Sequence, residues 1–147
     1  LGRSFPTRRS SDLWQILEAR RLTEMTVVQL ACAQATPAQI RQLRELIARE
    51  RECIQGDQRG PAIRLSGEFH LQLAAIAGNG PLAQFLNSLV PLTSLIIAQF
   101  QAKACTYCAW QEHVAIVEAV EQQDVSAAVS LMTQHLDQLE TKLLKHH

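Results

Sequence analysis

The sequence predicts an all-α fold, an antiparallel bundle of six or seven helices. Three observations carry that expectation. Leu, Ala, Gln and Glu dominate a composition that is 47% hydrophobic and only 5% aromatic, which is helix-forming material. Apolar residues recur three, four and seven positions apart along almost the whole chain, and no stretch alternates as a half-buried strand must. Capping residues, glycines and prolines fall between the periodic segments, where helical hairpins need them. At 147 residues the chain is long enough for one domain with its own core.

The stretch SFPTRRSSDL, Ser4 to Leu13, differs in character from the rest of the chain. Written as codons it resembles a common short-read sequencing adapter. Residues 1–13 are therefore expected to be an adapter artefact joined to a truncated gene, disordered and without function. The domain itself is expected over residues 14–147. From Trp14 to about Cys32, Leu17, Leu22, Val27, Val28 and Leu30 predict one or two helices. Thr36 is placed to N-cap the next helix, with Pro37 at its first position and Gln39 completing a capping box. Ile40, Leu43, Ile47 and Ile54 give that helix one apolar stripe, and QGDQRGP ends it.

A third helix is predicted from about Ala62 to Ala77, closed by Gly78 and Asn79 as a left-handed C-cap. Pro81 suits the first turn of a long apolar helix from Leu82 to about Lys103, and Pro91 is expected to kink it. A further helix runs from about Trp110 to Gln122. Asp124 caps the last, which reaches about Lys145.

The 14 basic and 14 acidic residues balance. Leaving out Arg3, Arg8, Arg9 and Asp12 of the first 13 residues gives 11 basic against 13 acidic, so nothing here offers nucleic acid an electrostatic footprint. The chain alone is not expected to bind DNA. Its longest apolar run, SLIIAQF, is cut by Gln99, short of the roughly 18 residues a membrane span needs. Cys32, Cys53, Cys105 and Cys108 sit in a chain too large and apolar to need disulfides. They are read as free thiols of a reducing, cytoplasmic compartment.

His70, His113 and His135 each fall on the inward stripe of a helix. His113 is in line with Ile116, Val117 and Val120; His135 with Leu131, Met132 and Leu139; His70 with Leu73, Ala74 and Ala77. His113 lies about ten residues before the turn at Gln123 and Asp124, and His135 about eleven after it, so both stand roughly 16 Å from the bend. An antiparallel hairpin brings them side by side, as a shared metal requires. A histidine facing a core is commonly a hydrogen-bonded core residue, and at this level both readings stay open. Neutral imidazoles would suit zinc or nickel and leave a coordination position for water or a ligand.

The segments SGEFHLQLAAIAGN, EHVAIVEAV and VSLMTQHLDQLE, with the opening EARRLTEMTVVQLACAQATPAQIRQL, resemble the ligand-binding domain of the GntR family of bacterial transcription regulators. The subgroup is that of the fatty-acid-responsive repressor, whose domain is called FCD, and the resemblance runs from Trp14 to about Leu144. It implies an all-helical homodimeric domain that binds a small organic carboxylate effector, with DNA bound only through an N-terminal winged-helix domain absent here. It also implies a divalent metal, zinc or nickel, on His70, His113 and His135, with an Asp or Asn one turn before His70. Position 66 holds Ser66 instead, and a hydroxyl is a poor zinc ligand. Glu68 cannot replace it, lying near the opposite helix face.

The effector set implied is then Arg20, Ser66, His70, His113 and His135. For Arg20 the alternative is a surface salt bridge with Glu24, four residues on. In CTYC, Cys105 and Cys108 are either buried apolar thiols or a thiolate donor that replaces the missing carboxylate. A stand-alone metal-dependent hydrolase is the rival reading. The chain has no HExxH and no Glu-x-x-His, and Glu112 is the one acid near His113, diverging from it by about 100° around the helix. The expectation is a sensor, not an enzyme.

Overall fold

The computed structural model describes residues 5–100 and 109–144. Among these residues there are six helices and no strand: α1 (Phe5–Gln34), α2 (Pro37–Gln55), α3 (Arg59–Ala77), α4 (Gly80–Phe100), α5 (Trp110–Glu121) and α6 (Val125–Leu144). The all-α expectation and the order of elements hold. Helix α1 begins at Phe5, inside the stretch read as an adapter artefact. Leu13 stands four residues before Leu17 on the same face, and both are buried, so the apolar stripe of α1 begins one turn earlier than expected.

The boundaries follow the local chemistry. Thr36 accepts from the Gln39 amide, and the Gln39 side chain accepts from the Thr36 amide, closing the capping box with Pro37 in the first turn. Gly78 ends α3 at φ 76°, where an added Cβ would press against the Gln34 side chain at 2.7 Å. Asn79 belongs to the next helix, because its side chain accepts from the Leu82 amide at the start of α4. Asp124 likewise caps α6 through the Ala127 amide.

The long helix α1 packs along α3 and α6 and touches α4 and α5, while α3 lies between α2 and α4. Hairpin α5–α6 is closed against α2 and α1. Phe69, Leu43, Leu65, Leu73, Leu86, Ile116, Met132, Leu139 and Leu143 fill the interior. At the surface, Arg21 joins α1 to Asp137 and Glu140 of α6, and Arg44 joins α2 to Glu121 of α5. Exposed pairs of this kind are worth about 0–1 kcal/mol each.

Helix α4 corrects one expectation. Gly80–Gln99 has a mean hydropathy of 1.4 and no ionisable residue, so by length and composition alone it could cross a membrane. The polar residues that interrupt its apolar runs are all uncharged. Leu86, Val90, Thr93 and Ile97 turn into the bundle, whereas Phe85, Leu92 and Leu95 face outward. Cys105 and Cys108 lie outside the described residues; Cys32 and Cys53 are free thiols, as expected.

Candidate metal centre

Five helices bring their polar residues to one point inside the bundle. His70 from α3, His113 from α5 and His135 from α6 are all fully or almost fully buried. Their ring centroids are 4.9 to 5.2 Å apart, and one nitrogen from each lies within 4.8 Å of the others. The hairpin register therefore places His113 beside His135 as the sequence requires, and α3 delivers His70 to both. Phe69 stacks on the His113 ring at 4.0 Å and forms a dry wall behind it.

Each histidine is held from behind by a glutamate. His70 Nδ1 bonds to Glu24, His113 Nδ1 to Glu50 at 2.8 Å, and His135 Nδ1 to Glu112 at 2.6 Å. A carboxylate can only accept while it is ionised, and in that state each pairing assigns the hydrogen to Nδ1 and, in a neutral ring, leaves a lone pair on Nε2. Two of those Nε2 atoms, of His70 and His135, turn toward one another, and a ring nitrogen of His113 lies within 4.8 Å of both rings' donors. His70 Nε2 and His135 Nε2 are 3.3 Å apart, and His113 Nε2 is buried with no hydrogen-bond partner. Facing lone pairs repel unless a cation lies between them. With zinc–nitrogen bonds of about 2.0–2.1 Å and tetrahedral angles, two ligands stand about 3.3–3.4 Å apart. The donor set fits a divalent metal, and the carboxylate behind each imidazole is the outer partner such ligands usually have.

For His70 and His113 the electrostatics agree with neutral rings. Burial drives the His70 ring down to about 3, against the opposing pull of Glu24, and burial with His135 nearby sends His113 well below its ordinary value. Burial alone would raise the Glu24 carboxyl, but His70 and Arg20 outweigh it and hold Glu24 at about 2. Burial raises Glu50 to about 7, although the Ser66 hydroxyl and His135 work against the rise.

A cavity of about 30 Å³ adjoins His70 and His135, though not His113, and is lined on its polar side also by Arg20, Glu50, Arg59 and Ser66. A water needs about 10–15 Å³ on this measure, so the cavity admits an ion with a small ligand. Arg20 is there, but the surface salt bridge offered as its alternative is a buried one: its Nε donates to Glu24 at 2.6 Å, and both side chains are almost fully enclosed. Ser66 is also there, turned to Glu50.

Three residues were missed as members of the site. The sequence offers Glu24 only as a partner for Arg20 and gives Glu50 no role, and Glu112 diverges from His113 around its own helix but serves His135 on the neighbouring one. Glu50 did leave a signal. It stands three residues after Ile47 and four before Ile54, an acid within the apolar stripe of α2. Arg59 was missed too. Its guanidinium holds the Ile97 and Ala98 carbonyls of α4, and its Nε is buried without an acceptor at the cavity edge.

Comparison with known proteins gives one consistent result. Residues 15–138 match the family described as the FCD domain. The Uxu operon regulator of Haemophilus influenzae is 28% identical over 138 residues, which cover 90% of this chain and 51% of that protein. The chain thus spans about half the length of that curated relative. Among solved structures, E. coli McbR/YncC superimposes with a TM-score of 0.83 at 15% identity, covering 92% of this chain and 69% of that one. Streptococcus agalactiae GntR gives 0.75 at 23% identity, over 95% of this chain and 62% of that one. At these identities the structural likeness speaks for the fold.

Proposed function

Because this chain belongs to the FCD-domain family of GntR-type transcription regulators, we propose that it is a ligand-sensing and dimerisation domain. In this reading it binds a small organic acid at a histidine-held divalent metal and so governs DNA binding by a winged-helix domain carried elsewhere in the regulator. Three buried histidines whose ring nitrogens come within 4.8 Å of one another, each backed by a glutamate, are the observation that carries it. His70, His113 and His135 would hold zinc or nickel. When bound, that metal supplies a Lewis-acidic position for one carboxylate oxygen. Arg20, offset by Glu24, contributes hydrogen-bond direction more than free charge, and Ser66 reaches an effector only from its place on Glu50.

The acids around the rings are occupied in orienting them, so among the described residues no free general base stands ready at the site, which supports a sensor over a hydrolase. The cavity is too small for most acids, and α3 and α4 form one of its walls through Ser66, Gly67, Ser94 and Ile97. An acid that enters must part these helices. The same helix α4 presents its charge-free outer face to the surface, and dimerisation there would pass the displacement to a second copy. A regulator of DNA works where DNA is, so the proposed compartment is the cytoplasm.

Elemental analysis of the purified protein, followed by thermal melts with a panel of small mono- and dicarboxylic acids before and after chelation, tests the reading. Bound zinc or nickel and an acid-induced rise in Tm that chelation abolishes are expected. A protein that takes up neither metal nor acid defeats it.

A further inference from the structure

The three carboxylates behind the histidines are not equivalent. The charge of Glu24 is offset by Arg20 at 2.6 Å. The Glu112 side chain is 32% exposed, and water screens it. Glu50 is 1% exposed, and among the described residues no lysine or arginine pairs with it. Its contacts are the Nδ1 hydrogen of His113 and the Ser66 hydroxyl. Arg20 offsets Glu24, so Glu50 is the one fully enclosed carboxylate of the three with no cation against it among the described residues, and whenever it is ionised its charge is the unmatched one. A buried charge is tolerated only with a partner, and the partner available here is a cation at the three Nε2 atoms.

We infer that Glu50, from α2, is the positioning residue that sets the charge of this centre: it acts through His113 and fixes Ser66 as its own donor, so Ser66 is not a ligand. The inference rests on the proposed metal reading. With Glu50 ionised and the rings acting as neutral ligands, a divalent ion turns the net charge of the enclosed cluster from −1 to +1, which suits one monoanionic headgroup beside the metal. Removal of the Glu50 charge must therefore move two affinities in opposite directions, weakening the metal and strengthening an anion on the loaded protein. Position 66 lines the same cavity one turn before His70, so a carboxylate placed there returns the charge to the same space.

The test titrates Co²⁺ into the chelator-stripped chain, following visible absorption, and then titrates acetate into the Co²⁺-loaded form. The proteins are wild type, Glu50→Gln, Ser66→Ala and the double variant Glu50→Gln/Ser66→Asp, each checked by its melting transition. Glu50→Gln is expected to lose about 10–100-fold in Co²⁺ affinity, the range typical of outer partners. Its loaded form should bind acetate several-fold more tightly than wild type, and the double variant should regain most of the metal affinity. Ser66→Ala should leave the Co²⁺ spectrum unchanged. Equal Co²⁺ affinity in wild type and Glu50→Gln overturns this inference alone, as does a parallel loss of metal and acetate, which marks a merely structural role. A spectrum altered by Ser66→Ala overturns it by making Ser66 a ligand. Failure of wild type itself to bind Co²⁺ overturns the metal reading along with it.

Discussion

The centre of the bundle and the outer face of α4 break the same rule in opposite directions. Inside, where apolar packing is the norm, sit Arg20, Glu24, Glu50, His70, His113 and His135, all at 3% exposure or less. Outside, where charge is the norm, a 21-residue helix carries no ionisable side chain and exposes Phe85, Leu92 and Leu95. Each departure is maintained against a penalty, since buried polar groups are costly without partners and exposed apolar stripes invite association. The difference lies in how each is settled. The Nδ1 side of the centre is satisfied within the chain by interlocked hydrogen bonds, while its Nε2 side leaves His113 without a partner and sets His70 against His135; the α4 stripe has nothing against it within the described residues. One region asks for an ion, the other for a surface.

The largest expected effect comes from breaking the centre. His70→Ala removes a ring whose Nδ1 is on Glu24 and whose Nε2 faces His135. It leaves the buried Glu24 with Arg20 alone. Loss of one partner from such a network costs about 3–5 kcal/mol in the metal-free protein, and metal uptake should disappear. Urea unfolding with chelator present, together with elemental analysis, reads both. A loss under about 1 kcal/mol would mean that the rings are merely tolerated and that the centre is no more specified than the α4 stripe.

Much of this was legible in the sequence, and the boundary of legibility is physical. The caps at Thr36, Gly78 and Asp124 are local chemistry, decided within four residues, and they are found where expected. The histidines were legible because helical period and hairpin length together fix height and face. Their glutamate partners were not, because Glu24 to His70 and Glu50 to His113 are pairings across separate helices, set by how each helix is rotated against the next. Arg20 shows the same limit within one residue. Its i,i+4 partner could be read, but the depth at which the pair is buried could not. Gly67 carries no signal of its own in the sequence, since its reason lies on α4, where an added Cβ would meet Ser94 Oγ at 2.9 Å and Val90 Cγ1 at 3.2 Å.

The pH dependence of the metal-free protein sharpens the account of the centre. His70 and His113 are depressed in the fold, so the unfolded chain takes up two protons as pH falls through 6.5 and the folded chain does not. That stability is present above pH 6.5 and lost below it. Glu50 works the other way: its carboxyl is raised to about 7 from 4.5, so the folded chain holds a proton between those values that the unfolded chain lacks. From pH 6.5 to 4.5 these groups give the unfolded state a net excess of about one proton, or about 1.4 kcal/mol lost per unit. Glu50→Gln removes the opposing proton and should roughly double the slope. Unfolding free energies across that interval, with chelator present, measure it, and a slope unchanged in Glu50→Gln would show that Glu50 does not titrate there.

Gly67→Ala probes the wall between the two regions and should cost less. Overpacking against Val90, a stiff β-branched neighbour, costs about 1–3 kcal/mol, while alanine returns about 1 kcal/mol in helix propensity. A net loss of about 1 kcal/mol is expected by urea unfolding, eased by Val90→Ala in the same chain. A stabilised Gly67→Ala would mean that α4 moves freely off α3, and that the wall is looser than the centre it encloses.

The smallest expected effect on stability falls on the outer face, and it decides what that face is for. Leu95 is 56% exposed, so Leu95→Glu removes little buried area and should change the unfolding free energy of the monomer by no more than about 0.5 kcal/mol. A glutamate in the middle of a charge-free stripe is nonetheless intolerable if a second copy lies against it, because two unpaired carboxylates would be brought into one dry interface. Light scattering should therefore give the mass of a dimer for wild type and of a monomer for Leu95→Glu, with unchanged helicity. If both variants have the same mass, the stripe is not what joins two copies, and the coupling proposed between an acid at the histidines and a partner at α4 loses its second end. If the mass halves while Co²⁺ affinity stays the same, the two departures are independently built. The bundle between them is then the part that must carry any signal.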